Sequence, residues 1–182
     1  MSPVTPEDLL AYLADLGIPV RTVAHRPVHT VAESRDLKAG LPGGHSKNLF
    51  LKDRRGQLFL VVAEAEARID LKRLHGAIGA SGRLSFGSAE QLHAVLGVRP
   101  GSVTPFGLLN DRDGLVSVIL DAALMAHDPV NFHPLHNAAT TAIAPGDLIR
   151  FLQATGHAPR VMTLPEPQPE PEEGRAEISV HS

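Results

Sequence analysis

The strongest constraint on the fold is a pair of strand-like segments separated by a four-residue turn. Residues 48–52 and 57–63 are mostly apolar, and Asp53-Arg54-Arg55-Gly56 lies between them. A turn this short joins antiparallel neighbours, because parallel strands need a crossover of about a dozen residues or more. The sequence therefore predicts a β-hairpin in a sheet that is not purely parallel.

Helix-capping signals place short helices around this hairpin. Thr5 is followed by Pro6 and by acidic residues, and Thr30 precedes Glu33 at the spacing of a capping box. Glycine and proline residues end the same segments. The predicted helices cover residues 6–16, 30–40, 70–75, 88–97 and 145–156. Further strands are predicted near residues 20–24, 115–120, 130–133 and 138–143.

This order of elements predicts an α+β fold, a single domain with a mixed, mostly antiparallel sheet surrounded by short helices. The chain has 182 residues, enough for one substantial core. We assign residues 1–163 to this domain. Beyond it, proline alternates with polar residues, so residues 164–182 are expected to form a disordered Pro/Glu-rich tail.

Composition excludes several classes of function. The absence of cysteine removes disulfides, thiolate nucleophiles and Cys-containing zinc sites. No segment approaches the roughly 20 apolar residues of a membrane helix, and none is typical of a signal peptide, so we expect a cytoplasmic protein without membrane contact. The tail holds five Glu and one Arg, so the rest of the chain carries a net charge of +1. That near-neutral body lacks the basic excess of proteins that bind duplex DNA.

The segment 43–51 brings two glycines, a His, a Ser, a Lys and an Asn to the beginning of an apolar strand. Lys47 has two interpretations: a solvated charge whose stem covers apolar surface, or a fixed ammonium that binds a phosphate or polarises an ester carbonyl. Ser46 is not expected to act as a nucleophile, because no Gly-x-Ser-x-Gly elbow surrounds it.

A second candidate is the loop that begins at Gly101 and contains Ser102, Val103, Thr104 and Pro105. Glycine and proline at its ends allow several backbone N–H groups to point at one carboxyl or ester oxygen. A turn that simply links two strands is the alternative, since Gly and Pro mark most loops.

Histidines form the third candidate. His127, His133 and His136 lie within ten positions, together with Asp128. A three-His zinc site is conceivable from this spacing, but a strand would place His136 opposite the other two, and Pro134 prevents a helix from reuniting them. Hydrogen-bonding histidines are therefore favoured over metal ligands, and no cofactor is expected.

Four motifs occur in register along the chain: Thr30-Val31-Ala32-Glu33, Ser46-Lys47-Asn48-Leu49-Phe50-Leu51, Ile69-Asp70-Leu71-Lys72-Arg73-Leu74 and Gly101-Ser102-Val103-Thr104-Pro105-Phe106-Gly107. In this order they resemble the YbaK/ProX-type aminoacyl-tRNA editing family, which are free-standing relatives of the prolyl-tRNA synthetase editing domain. The resemblance covers about residues 5–156. Through the ending Asn131-Phe132-His133-Pro134-Leu135-His136-Asn137 it is greatest to the ProX branch, whose members resemble deacylases of alanyl-tRNA(Pro).

The resemblance implies hydrolysis of the ester that joins a wrong amino acid to the terminal adenosine of tRNA(Pro), without a metal or a covalent intermediate. Lys47 matches the family's essential lysine, and Asn48 and His133 match pocket positions. The loop from Gly101 to Pro105 would hold the amino acid and its carbonyl. Thr30 is a further candidate contact, although its spacing to Glu33 favours a capping role. The substrate's own ribose hydroxyl would help to activate water.

The resemblance also implies selection by size. A pocket shaped for proline cannot strongly reject alanine, whereas a second, smaller pocket can admit alanine and exclude proline. The expected partners are the acceptor end of mischarged tRNA(Pro) and, transiently, prolyl-tRNA synthetase. Two alternatives remain open: a His-based metal-dependent hydrolase, and a module that binds the tRNA acceptor end without turnover.

Overall fold

The computed structural model describes residues 2–169. Six α-helices lie within this range: α1 Pro6–Asp15, α2 Val31–Gly40, α3 Leu71–Ile78, α4 Ala89–Leu96, α5 Ala122–Met125 and α6 Pro145–Ala154. Eight strands accompany them: β1 Val20–Ala24, β2 Gly44–Lys52, β3 Leu58–Glu64, β4 Ser85–Phe86, β5 Val116–Asp121, β6 Val130–Phe132, β7 Ala139–Ile143 and β8 Arg160–Met162. A 3₁₀ helix covers Pro105–Leu109.

The strands form one sheet in the order β1-β7-β6-β2-β3-β5-β8, with β4 paired to β2. Four pairings are antiparallel, β1·β7, β6·β7, β2·β3 and β2·β4, and three are parallel, β2·β6, β3·β5 and β5·β8. The predicted α+β class and mixed, mostly antiparallel sheet are confirmed. The β2–β3 hairpin is also confirmed, but β2 begins at Gly44, four residues before the predicted start.

Helix caps explain most of the agreement between sequence and structure. The Thr5 and Thr30 side chains each accept the backbone N–H of the residue three positions later, and both capping boxes form. Helix α3 continues past the predicted end at His75, because Gly79 adopts the left-handed conformation that closes it only after Ile78. The sequence did not predict β4, β8, α5 or the 3₁₀ helix, all five residues long or shorter.

The two faces of the sheet support separate apolar clusters. Side chains alternate along β2 and β3, so Phe50 and Leu60 contribute to the larger cluster while Leu51 and Phe59 contribute to the smaller one. Phe106 joins the larger cluster to the loop before it, since its ring packs edge to face against Phe132 and Phe151 with centroids 5.8 and 5.5 Å away.

The predicted tail begins with a residue that is part of this core. Leu164 is buried in the smaller cluster, contrary to the expectation of a solvated tail from that position. The carbonyl of Pro165 accepts the backbone N–H of Asp70 at 2.9 Å, and the carbonyl of Glu166 accepts the Arg73 guanidinium at 3.3 Å. The expectation for residues 170–182 lies outside the described residues. Within residues 2–169 no helix is long and apolar enough to cross a membrane.

Candidate active site

A pocket of about 240 Å³ lies between α2, the first half of β2, the end of β6 and the loop at Gly101. It contains three of the residues that the sequence predicted: Asn48, Gly101 and His133. The other polar residues that line it are Ser34, Lys38, His45, Ser46, Asn131 and Thr140. A larger hollow of about 400 Å³ beside the N-terminal segment is lined by none of the predicted site residues. The 240 Å³ pocket is therefore the candidate active site.

Lys47 lies beside this pocket but faces the other side of the sheet. It pairs across the hairpin with Ala63, a member of the smaller cluster, whereas Asn48 pairs with Val62 in the larger one. The Lys47 ammonium donates a hydrogen bond to the carbonyl of Ala67, and the side chain is half-buried. The two neighbouring residues therefore present their polar groups on opposite faces of β2.

One edge of β2 pairs with β3, and in the described part of the chain the other edge has no strand partner beside the pocket. Among the described residues, β6 pairs with this edge only at residues 44–45, and β4 only at residues 51–52. Residues 46–49 lie in the gap between them. This unpaired stretch of β2 separates the face that carries Asn48 from the face that carries Lys47.

The side-chain oxygen of Asn48 is the unusual polar atom of the site. Its amide nitrogen donates to Ser46 Oγ at 3.3 Å, and Ser46 Oγ donates to the Asn131 carbonyl at 3.0 Å. The Oδ1 atom is buried and has no hydrogen-bond partner within the described part of the chain. Buried polar atoms in proteins are nearly always paired, so an unpaired acceptor in a pocket indicates a missing donor.

His133 is fixed in one tautomer by its backbone contact. Its Nδ1 atom lies 2.9 Å from the carbonyl oxygen of Ala139 and must donate to it, since a carbonyl can only accept. Burial lowers the pKa of His133, and the nearby His25 and His136 lower it further, against the raising effect of the Ala139 bond. The neutral ring therefore keeps Nε2 as an acceptor.

The beginning of β2 is held by Asn131, which the sequence did not single out as a site residue. The Asn131 amide donates to the carbonyls of Pro42 and Gly44 at 3.0 and 2.9 Å. Between them, Gly43 has a φ of +97°, and a Cβ on it would lie 2.2 Å from the Pro129 carbonyl oxygen. A Cβ on Gly44 would lie 2.7 Å from His127. Glycine at both positions lets the chain pass this close to residues 127–129.

The Gly101 loop contributes less to the pocket than the sequence predicted. Gly101 lines the pocket, but Ser102, Val103, Thr104 and Pro105 do not. The Thr104 hydroxyl accepts the Phe106 N–H at 3.3 Å and caps the 3₁₀ helix, and Val103 packs against the larger cluster. These four residues have structural contacts that anchor the loop.

Thr30 also lies outside the pocket lining. Its hydroxyl accepts the Glu33 N–H at 3.1 Å, and the Glu33 carboxylate accepts the N–H groups of His29 and Thr30. These hydrogen bonds lower the pKa of Glu33, the one from His29 having the larger effect and the one from Thr30 the next largest. The expected capping role is confirmed, and Thr30 positions α2, whose residues Ser34 and Lys38 line the pocket.

The histidines that could have formed a zinc site have separate partners. His127 Nε2 bonds to the Glu64 carboxylate at 3.0 Å, while His133 bonds to Ala139. In the part of the chain that the structure describes, no group of three or more His, Asp or Glu residues could hold a metal ion. The arrangement gives no support to the metal-hydrolase alternative.

His25 and Thr140 belong to the site but were missed as a pair. The sequence motifs do not include His25, whose ring is half-buried and lies 6.3 Å from the His133 ring between centroids. Its Nε2 lies 2.8 Å from Thr140 Oγ1. The pair is 115 positions apart and forms through the β1–β7 pairing, which the order of motifs along the chain does not show.

Comparison with known proteins places this geometry in a family. Residues 25–151, more than half of the chain, match the aminoacyl-tRNA editing domain. The chain belongs to this family. Its enzyme class, an aminoacyl-tRNA deacylase, agrees with the expectation from the sequence motifs.

Two relatives show how far this family match extends along the chain. The prolyl-tRNA editing protein ProX of Acetoanaerobium sticklandii is 36% identical over 157 residues, which cover 86% of this chain and 95% of the relative. The prolyl-tRNA synthetase associated domain-containing protein 1 of Bos taurus is 39% identical, covering 84% and 91%. The shared region thus includes nearly the whole of each relative.

Solved structures support the fold. One crystal structure, provisionally assigned as a trans-editing enzyme for prolyl tRNA synthetase, superposes with a TM-score of 0.68 at 21% identity, covering 92% of this chain and 99% of that one. Another, of a protein of undefined function, has a TM-score of 0.67 at 20% identity, covering 86% and 97%. The fold of this chain is therefore similar to that of these two proteins.

Proposed function

We propose that this deacylase hydrolyses the ester bond between alanine and mischarged tRNA(Pro), with the amino acid bound in the pocket at Asn48, Gly101 and His133. The names of two relatives, a prolyl-tRNA editing protein and a prolyl-tRNA synthetase associated protein, support tRNA(Pro) as the carrier. The pocket volume of about 240 Å³ supports a small amino acid. Pockets for drug-sized ligands hold roughly 300–1,000 Å³.

The unpaired Oδ1 of Asn48 is the observation that carries the proposal. An aminoacyl ester ends in an α-ammonium with three N–H donors, and its ester oxygens are acceptors. A buried amide oxygen with no protein partner can accept a hydrogen bond from the ammonium, whereas the ester has no hydrogen to donate to it. With Asn48 on the ammonium, the small side chain occupies the remainder of the pocket.

Lys47 is proposed as the catalytic cation. In this binding mode the amino acid lies on the face of the sheet that carries Asn48, and the adenosine continues outward. The ester between them then crosses the unpaired edge of β2 at residues 46–49. The Lys47 ammonium leaves the Ala67 carbonyl and binds the ester carbonyl or the terminal phosphate. One hydrogen-bond donor at the developing oxyanion typically contributes about 3–4 kcal/mol to the stability of the transition state.

Water activation is assigned to the substrate. None of the described residues that line the pocket is an Asp or a Glu. The adjacent ribose hydroxyl supplies the polar group that orients the water, and the enzyme supplies position and carbonyl polarisation. An aminoacyl ester is already activated, so these two contributions suffice for a modest acceleration.

Selection against proline follows from the fixed walls of the pocket. Phe132 is buried within the larger cluster, and Asn131 holds the beginning of β2 through two hydrogen bonds. Where the larger proline ring has to displace these groups, overpacking costs about 1–3 kcal/mol. Prolyl-tRNA synthetase, which releases mischarged tRNA(Pro), is the proposed transient partner.

The test is a deacylation assay on tRNA(Pro) charged separately with alanine, serine, cysteine and proline, with alanyl-tRNA(Ala) as the matched control for the carrier. We expect the highest rate with alanyl-tRNA(Pro) and near-background hydrolysis of prolyl-tRNA(Pro). Equal rates on the alanine and proline esters would contradict the size selection. The same assay with a chelator should give unchanged rates, and loss of activity restored by zinc would revive the metal-hydrolase alternative.

A further inference from the structure

His25 lies behind one wall of the pocket and contacts two oxygen atoms. Its Nδ1 atom is 2.8 Å from the carbonyl oxygen of Arg26, and its Nε2 atom is 2.8 Å from the hydroxyl oxygen of Thr140. Thr140 lines the pocket, and His25 does not. Its hydrogen-bond contact with the pocket lining is therefore made through Thr140.

The positions of the hydrogens follow from these contacts. The Arg26 carbonyl can only accept, so His25 Nδ1 carries the proton. In a neutral imidazole the other nitrogen is then an acceptor. The Thr140 hydroxyl is thus the donor to Nε2.

We propose that His25 is a positioning residue that turns the Thr140 hydroxyl into a fixed acceptor for the α-ammonium of the substrate. Once its hydrogen points to His25, the Thr140 oxygen offers only lone pairs to the pocket. A freely rotating hydroxyl could instead direct its own hydrogen at the ammonium. His25 excludes that repulsive orientation.

Three residues of the pocket lining then each carry an acceptor: Asn48 its Oδ1, His133 its Nε2 and Thr140 its Oγ1. An ammonium has three N–H bonds, so the pocket matches the charged end of an amino acid in number and polarity of its groups. This inference rests on the proposed placement of the amino acid, and it adds the two residues that fix the third acceptor.

Paired substitutions separate positioning from packing. Asn overlays the Nδ1 side of an imidazole and keeps the bond to the Arg26 carbonyl, whereas Gln reaches the position of Nε2 and can accept from Thr140. For alanyl-tRNA(Pro) at pH 7, where the substrate's α-amino group is mostly protonated, we expect H25N to lower kcat/KM about tenfold and H25Q to stay within about threefold of wild type. T140V should lose about tenfold, and T140S should stay close to wild type.

The double variant H25N/T140V is the decisive measurement, because residues that act through one hydroxyl are not additive. We expect it to be no slower than T140V alone. A product of the two single losses, or wild-type kinetics in H25N, would overturn the inference. Failure of the proposed function is distinguishable, since the wild-type enzyme itself would then not hydrolyse alanyl-tRNA(Pro).

A readout independent of activity is the tautomer of His25. In ¹⁵N-histidine NMR of the wild-type protein, with the signal assigned by its loss in H25Q, we expect a protonated Nδ1 and an unprotonated Nε2. A protonated Nε2 at pH 8 would mean that His25 donates to Thr140 and would refute the proposal. This measurement holds even if H25N does not fold.

Discussion

Lys47 and Asn48 are neighbours in β2, and their side chains lie on opposite faces of the sheet. Asn48 lines the pocket with an unpaired oxygen, while the Lys47 ammonium donates to the Ala67 carbonyl beyond the other face. The edge of β2 between these two faces has no strand partner at residues 46–49 within residues 2–169. In the proposed binding mode the substrate lies across this edge.

Replacing Lys47 by Ala should lower deacylation of alanyl-tRNA(Pro) by about 100-fold or more, because a cation is removed from the developing oxyanion. Folding should survive, since the side chain is half-buried and loses one hydrogen bond, worth about 1 kcal/mol. Lys52→Ala is the matched control, as it removes a half-buried lysine from the same strand outside the pocket lining. Near-normal turnover by folded Lys47→Ala would remove Lys47 from the mechanism.

The sequence could predict those parts of the site whose structure depends on residues close together in the chain. Strand alternation, capping boxes and glycine at residues 43–44 depend on near neighbours, so the candidate segment 43–51 and the capping role of Thr30 could be anticipated. The family resemblance placed Asn48 and His133 in the pocket, whereas the Gly101 loop was already a candidate from its own glycine and proline. Val103 and Pro105 could not be judged, because their burial depends on the packing of Phe106 against distant residues.

The sequence motifs could not predict contacts between segments that are far apart in the chain. His25 meets Thr140, and Asn131 meets Pro42, only after β6 and β7 are placed in the sheet. The strand order inserts both between β1 and β2, against their order in the chain. A sequence pattern carries no direct signal for such pairings.

Asn48→Ala should lower kcat/KM for alanyl-tRNA(Pro) by about 10- to 100-fold, because hydrogen bonds to charged groups contribute about 1.5–3 kcal/mol. Ser46→Ala is the control, since it removes the partner of the Asn48 amide nitrogen and leaves Oδ1 in place. We expect a much smaller kinetic loss for Ser46→Ala. A large fall in melting temperature of Asn48→Ala with unchanged kinetics would show that Asn48 is structural.

His133 should make activity depend on pH. Burial first, then His25 and His136, lower its pKa, so the ring is neutral at pH 7 and Nε2 is an acceptor. As pH falls through a value below about 6.5, protonation removes that acceptor and kcat/KM should fall. His133→Asn keeps a donor for the Ala139 carbonyl without titrating, so its profile should be flatter across this range. An unchanged profile in His133→Asn would assign the titration to another group.

His133→Ala tests the size of the pocket. Removing the ring should lower hydrolysis of alanyl-tRNA(Pro) and admit larger amino acids, because selection depends on volume. The measurement is the ratio of kcat/KM for tRNA(Pro) charged with alanine and with a larger residue, recorded beside the melting temperature. Unchanged rates with a lowered melting temperature would place His133 in a purely structural role.

Asp111 and His157 should control stability and leave catalysis unaffected. Their side chains are almost completely buried, and His157 Nε2 lies 2.8 Å from the Asp111 carboxylate. Burial raises the pKa of Asp111, but the bonds from His157 and from the backbone of Leu115 and Val116 outweigh it, and the net shift is downward. Asp111→Ala should therefore cost about 3–5 kcal/mol, since it leaves a buried group unpaired.

The sign of the pH effect follows from that shift. A carboxylate with a lowered pKa in the folded state contributes its stability above its unfolded pKa of about 3.9. The contribution is lost as pH falls through the folded value. Melting of Asp111→Ala should thus differ most from wild type near neutral pH and least in acid. The exposed Asp113→Ala, in the same turn, should change stability by less than about 0.5 kcal/mol. Equal melting temperatures for both variants would contradict this assignment.

Two truncations locate the end of the domain. We propose that the folded unit extends a few residues past 163, because Leu164 is buried and the carbonyls of Pro165 and Glu166 accept hydrogen bonds from Asp70 and Arg73. Ending the chain after residue 169 should leave melting temperature and turnover nearly unchanged. Ending it after residue 163 should lower the melting temperature, since removal of a buried leucine side chain costs about 2 kcal/mol or more. Leu164→Ala in the full chain should reproduce most of that loss, because it keeps the backbone contacts and removes only the apolar group. Equal melting temperatures for the two truncations would show that residues 164–169 add nothing to the fold.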